Sequence, residues 1–169
     1  LDNRTGAFYA PVSTRLTLGD RRIGVLGLAP SDPMVWREDA RAPLGLLDPV
    51  PFAGSAMLSA FAGVDLPVML SHAGLVPDRE IMRALPPGAL MIGGHDHLML
   101  EQRENGGVYL HAGCWGESIR VISVTFDGKV PNIEVETVPI LPGADVDRSI
   151  QSIVTAATPL SLTHIRPIR

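Results

Sequence analysis

The sequence of 169 residues lacks several features that would place it in a common class of protein. A single cysteine, Cys114, excludes an intrachain disulfide and a zinc site built from several cysteines. No apolar run approaches the roughly 18 residues of a membrane-spanning helix, so we predict no membrane span. Lysine and arginine form no cluster, and the net charge is −4, which argues against a nucleic-acid partner.

Two further absences concern the N-terminal part of the sequence. The chain starts at Leu1 without an initiator methionine or a signal peptide, a pattern expected of a matured protein, an isolated domain or a fragment. No histidine precedes His72. Hydrophobic residues nevertheless make up 46% of the chain and charged residues 19%, which predicts a folded domain with a real core.

The first half of the chain predicts an α/β fold. Residues 13–29 are predicted to form a β-hairpin, with Gly19-Asp20 as its turn, and five prolines in residues 29–51 indicate a long irregular connection. Helices are predicted at residues 52–62 and 78–85, the second with Asp78 as its N-cap. Buried strands are predicted at residues 66–70 and 89–92. This strand–helix–strand order implies parallel strands joined by a crossover.

The second half of the chain predicts antiparallel strands. Residues 108–111, 119–126 and 133–140 read as a β-meander with an Asp-Gly turn. Residues 145–157 predict a final helix, and residues 158–169 a tail or linker.

Three of the five histidines follow predicted strands: His72, His95 and His97. Ligands collect beyond the carboxyl ends of parallel strands, and imidazole is a common metal ligand, so we predict that these three bind metal. The Gly93-Gly94 pair is expected to let the backbone turn. If the segment then stays extended, the i, i+2 spacing puts His95 and His97 on one face.

Other polar residues have more ordinary interpretations. Asp96 should point away from its two neighbours, which favours a supporting or turn role over direct metal coordination. His111 lies in mid-strand and is predicted to be packed or on the surface, and His164 to be solvated. Trp36 is predicted to pack. Asp20 belongs to a hairpin turn, so we do not count it as a metal ligand.

Several segments resemble the calcineurin-like metallophosphoesterases, in their 5′-nucleotidase-like branch. The similarity covers about residues 15–140 in the family's order. The segments that carry it are Leu-Ser-His-Ala-Gly-Leu at 70–75, the helix that includes Asp78-Arg79-Glu80, Met-Ile-Gly-Gly-His-Asp-His at 91–97, the strand at 22–28, and Ala-Gly-Cys-Trp-Gly-Glu at 112–117.

The resemblance implies a mixed β-sheet sandwich flanked by helices, in an αββα arrangement that lacks its N-terminal part. Residues 1–140 would be the C-terminal portion of that domain, and residues 141–169 a terminal helix and a tail or linker. His72 and His95 would bind one divalent cation of a pair, and His97 the other. The family's Asp-x-His and Gly-Asn-His segments do not occur, and the one early Gly-Asp is the hairpin turn, so the catalytic residues stay unassigned.

The implied activity is metal-dependent hydrolysis of a small phosphorylated substrate such as a nucleotide, as in nucleotide catabolism. The chain alone is expected to have little such activity unless an N-terminal segment completes the site. Hydrolysis of a sulfur ester, and a non-catalytic metal-binding or scaffolding domain, stay open as alternatives. The family also implies a periplasmic or secreted location.

Overall fold

The computed structural model describes residues 1–32, 37–141 and 146–157. It divides into two compact units, Leu1–Pro139 and Ile140–Arg169. The predictions for Trp36 and His164 lie outside the described residues. The assignment of residues 1–140 to one functional domain stays a prediction.

A six-stranded mixed sheet forms the centre of the first unit, in the order β1-β2-β3-β4-β6-β5. Strands β2, β3, β4 and β6 run parallel to one another, and the edge strands β1 and β5 run antiparallel to their neighbours. The predicted α/β class and the predicted parallel strands are thus confirmed. The strand bounds are β1 Ser13–Leu18, β2 Arg21–Leu28, β3 Leu66–Ser71, β4 Leu90–Gly93, β5 Met99–Glu104 and β6 Gly107–Ala112.

Each edge of this sheet ends in a tight hairpin. Gly19-Asp20 joins β1 to β2, with Gly19 at a φ of 61°, so the predicted turn is confirmed. Asn105-Gly106 joins β5 to β6, both with positive φ. We did not predict β5, although Asn-Gly between two runs is a strong hairpin signal because both positions of a type I′ turn need positive φ.

Two of the predicted helices begin earlier than predicted, and a short helix lies in the connection that was predicted to be irregular. Helix α1 spans Glu38–Arg41 and α2 spans Pro49–Ala60, with Asp48 accepting a hydrogen bond from the Val50 amide at 3.0 Å. Proline at the first helical position lacks only an amide that would have no partner there. Helix α3 spans Leu75–Ala84, with Gly74 as its N-cap. The prediction that Asp78 caps this helix is therefore wrong.

Helices α2 and α3 cover one face of the sheet, and a two-stranded sheet packs on the other. This smaller sheet consists of β7, Ser118–Thr125, and β8, Asn132–Pro139, paired antiparallel. The predicted meander is wrong in one respect, because β6 pairs with β4 and β5 rather than with β7. Strand β6 is almost fully buried, as a strand inside a large sheet must be.

The second unit contains one described helix, α4, Arg148–Ala157. The Asp147 carboxylate accepts hydrogen bonds from the amides of Ser149 and Ile150, at 2.8 and 3.3 Å, and so caps the helix. No helix in the described part of the chain is long and apolar enough to cross a membrane.

Candidate metal centre

The predicted site lies at the carboxyl ends of two neighbouring parallel strands. His72 follows β3 and His95 follows β4, and the last residues of these strands, Ser71 and Gly93, are register partners. The sheet therefore brings the two histidine-bearing loops together, as the topology predicted.

The structure brings two of the three histidines together. The imidazoles of His72 and His95 meet edge to face, with their ring centroids 5.2 Å apart. His97 lies instead against the indole of Trp115, with ring centroids 5.6 Å apart. Trp115 is 84% exposed, so the His97 pair forms at the surface of the unit.

The loop that holds His95 and His97 is not extended. His95 has a φ of 74° and His97 a φ of 56°, and the Asp96 amide donates to the Gly94 carbonyl at 3.0 Å. The expectation of one shared face is therefore wrong, because two left-handed residues send the imidazoles to different neighbours. Each left-handed non-glycine residue costs roughly 1 kcal/mol, so the surrounding contacts must hold this loop in place.

Asp96 supplies the main contact between the two loops. Its carboxylate accepts a hydrogen bond of 2.6 Å from the amide of Leu75, the first residue of α3. A second bond, 2.8 Å long, runs from the Gly94 amide to the Ser71 carbonyl. Asp96 thus takes the place of a local N-cap for α3, and a negative charge at a helix N-terminus is favourable.

Gly93 and Gly94 leave space for neighbouring side chains and do not form the expected backbone turn. Neither glycine has a positive φ. A Cβ on Gly94 would lie 2.7 Å from Nδ1 of His72, and one on Gly93 would lie 2.2 Å from Nε2 of His111. The missing side chain at Gly94 therefore leaves space for the exposed imidazole of His72. The missing side chain at Gly93 leaves space for a buried polar group that includes His111.

That buried group consists of four side chains that the sequence interpretation did not connect: Ser71, Asp78, Tyr109 and His111. The Ser71 hydroxyl donates to one carboxylate oxygen of Asp78, and the Tyr109 hydroxyl donates to the other at 2.9 Å. Nε2 of His111 is 2.5 Å from the Tyr109 hydroxyl. The i, i+2 spacing of Tyr109 and His111 in one strand is the only sequence signal for this contact.

Burial governs the ionisation of this group. It raises the pKa of Asp78, an effect that the hydrogen bonds from Ser71 and Tyr109 oppose. It also raises the pKa of the Tyr109 hydroxyl, with the Asp78 charge adding to the rise. Burial lowers the pKa of His111, which keeps its imidazole neutral. The prediction that His111 is a packed or surface residue fits its burial at 1% exposure.

The metal-binding prediction for His72, His95 and His97 stays a prediction. Among residues 1–32, 37–141 and 146–157, no three His, Cys, Asp or Glu side chains form a group that could hold a metal ion. Two adjacent imidazoles suit a transition-metal cation, but a zinc site takes three or four protein ligands. The donor set therefore fits a divalent cation in kind and is incomplete in number.

A cavity of about 710 Å³ opens beside His72. Its wall is mostly apolar, and residues of the N-terminal segment, the loop before α2 and the ends of β2, β3 and β4 contribute to it. Representative lining residues are Phe8, Leu28, Leu44, Phe52 and Gly94.

The architecture matches several solved structures over most of the chain. The sulfate thiohydrolase SoxB from Thermus thermophilus matches with a TM-score of 0.79 and 18% identity, over 92% of this chain and 30% of SoxB. A putative 5′-nucleotidase from Staphylococcus aureus matches with a TM-score of 0.71 and 16% identity, over 85% of this chain and 32% of that one. A 5′-nucleotidase precursor from Thermus thermophilus matches with a TM-score of 0.66 and 24% identity, over 86% of this chain and 33% of that one.

The chain shares the fold of the matched part of these SoxB and 5′-nucleotidase structures. At identities below 25% these similarities establish the fold, and the chain spans about a third of the length of each of these structures. No protein-family model and no curated protein sequence matches the chain. Within this fold, the loops after β3 and β4 carry the predicted ligands.

Proposed function

We propose that the chain supplies imidazole ligands to the divalent-metal centre of a phosphoester hydrolase similar to the 5′-nucleotidases. The observation that carries the proposal is the edge-to-face pair of His72 and His95 at the ends of β3 and β4. His97, on the same loop as His95, is the proposed ligand for a second cation. The substrate class is a small phosphorylated compound such as a nucleotide.

The chemistry follows from the ligands and the loops that hold them. A bound divalent cation would polarise a phosphoryl oxygen and lower the pKa of a water molecule. The chain's own contribution is to orient the imidazoles, which the contact between Asp96 and the Leu75 amide supports. Neutral imidazole is the form that binds metal.

Hydrolysis of a sulfur ester is the second candidate. It is supported by the match to SoxB, a sulfate thiohydrolase whose structure matches 92% of this chain. The third candidate is a metal-binding or scaffolding domain without turnover, supported by the incomplete donor set in the described residues. For location we propose export, because one structural neighbour is a 5′-nucleotidase precursor.

Assays of the complete protein that contains this chain test the three candidates. It should hydrolyse nucleoside 5′-monophosphates in the presence of Mn²⁺, and His95→Ala should remove that activity while leaving the protein folded. Turnover of a thiosulfate ester alone would select the second candidate. Metal binding without turnover of either ester would select the third.

A further inference from the structure

We propose that Asp78 is a positioning residue, which acts through Ser71 to hold the backbone turn that carries His72. This inference deepens the proposed function, because it concerns how one proposed metal ligand is oriented. Asp78 contacts Ser71, and Ser71 contacts the backbone on the far side of His72.

The Ser71 hydroxyl makes two bonds with different roles. It donates its single proton to the Asp78 carboxylate and accepts the Ala73 amide at 3.1 Å. A hydroxyl has one donor and two acceptor lone pairs, so its proton cannot point elsewhere while the carboxylate accepts it. The lone pairs are thereby directed towards Ala73, and the turn through His72 closes around the Ser71 side chain.

Burial and a second hydrogen bond hold the Asp78 carboxylate in place. Asp78 is fully buried in the first turn of α3. Its other oxygen accepts the Tyr109 hydroxyl from β6 at 2.9 Å. Burying a carboxylate is unfavourable unless it is fully hydrogen-bonded, and an apolar side chain of similar size would fill the same space without that cost. A role in directing Ser71 accounts for a carboxylate at this position.

The geometry separates this role from a merely structural one. Asp78→Leu and Ser71→Ala both remove the bond that directs the hydroxyl. Tyr109→Phe removes a bond to the same carboxylate but leaves Ser71 untouched, which makes it the matched control. Asp78→Asn keeps an acceptor oxygen for Ser71, and its amide can donate to Tyr109, so it should restore what Asp78→Leu loses.

The test is an NMR measurement on the 169-residue chain with labelled histidine and without added metal. The wild type should show a nuclear Overhauser effect between the His72 and His95 rings, with His72→Gln giving the assignment. Ser71→Ala and Asp78→Leu should lose it, and Tyr109→Phe and Asp78→Asn should keep it. Ser71→Ala removes a single oxygen atom and should remain folded, so its result decides alone if Asp78→Leu does not fold.

Two results would overturn the inference: a wild-type ring contact in Ser71→Ala, or an equal loss in Tyr109→Phe. Neither of these outcomes depends on metal binding, so the proposed function can fail while the positioning role stands.

Discussion

Gly93→Ala is predicted to destabilise the fold by pushing a side chain into the buried polar group. A Cβ at this position would lie 2.2 Å from Nε2 and 2.7 Å from Cδ2 of His111, and 2.8 Å from Cε2 of Tyr109. Neither ring has room to withdraw, because His111 is 1% exposed and Tyr109 fully buried. The His111 and Tyr109 side chains must therefore move, which strains the hydrogen bond between them.

The expected change in the free energy of unfolding is the balance of two costs and one gain. Overpacking a well-filled core costs about 1–3 kcal/mol, and weakening one buried hydrogen bond costs about 1 kcal/mol. Replacing glycine by alanine in a strand returns roughly 0.5–1 kcal/mol of backbone entropy. The expected net loss is therefore about 1–3 kcal/mol, a large share of the roughly 5–15 kcal/mol that stabilise a domain.

Equilibrium unfolding in urea, followed by circular dichroism, measures this loss. Gly54→Ala is the matched control: Gly54 lies in α2, a Cβ there would meet no heavy atom within 4 Å, and the substitution should stabilise by about 0.5–1 kcal/mol. The reasoning is refuted if Gly93→Ala is as stable as Gly54→Ala with an unchanged urea dependence.

Three further substitutions test the loops and the buried group. Gly94→Ala places a Cβ 2.7 Å from Nδ1 of His72, an exposed ring that can rotate away, so calorimetric titration should show Zn²⁺ affinity falling by about tenfold while stability changes little. Asp96→Ala should cost about 1 kcal/mol in urea unfolding, because the Leu75 amide loses its acceptor, and Asp96→Asn should recover part of it. His111 has a lowered pKa when folded, so the unfolded state binds the proton first and the free energy of unfolding falls as the pH drops below about 6.5. His111→Gln should flatten that fall, and identical pH dependence in both proteins would contradict it.

Local signals account for the parts of the fold that the sequence predicted. The Gly19-Asp20 hairpin and the parallel strands around α3 follow from turn chemistry and apolar runs within a few residues of each other. The start of α3 differs from the prediction for another reason. Its first amide is satisfied by Asp96, 21 residues away, and no local cap marks the position.

At the candidate site too, some features follow from the sequence and others depend on tertiary contacts. The position of His72 and His95 follows from strand order, which a sequence can indicate. The separation of His97 could not be predicted, because it depends on two left-handed backbone conformations held by tertiary contacts. The bond between Asp78 and Ser71 likewise joins a helix to a strand end, and no spacing rule connects them.

The central claim, that His72 and His95 form a metal site, is tested most directly by calorimetric titration of the 169-residue chain with Zn²⁺. The wild type should bind the ion, and His72→Ala and His95→Ala should each weaken binding by about tenfold or more, since each removes one of two adjacent imidazoles. Asp20→Ala, in the hairpin turn between β1 and β2, should bind Zn²⁺ as the wild type does. Equal isotherms for the wild type and both histidine variants would contradict the claim.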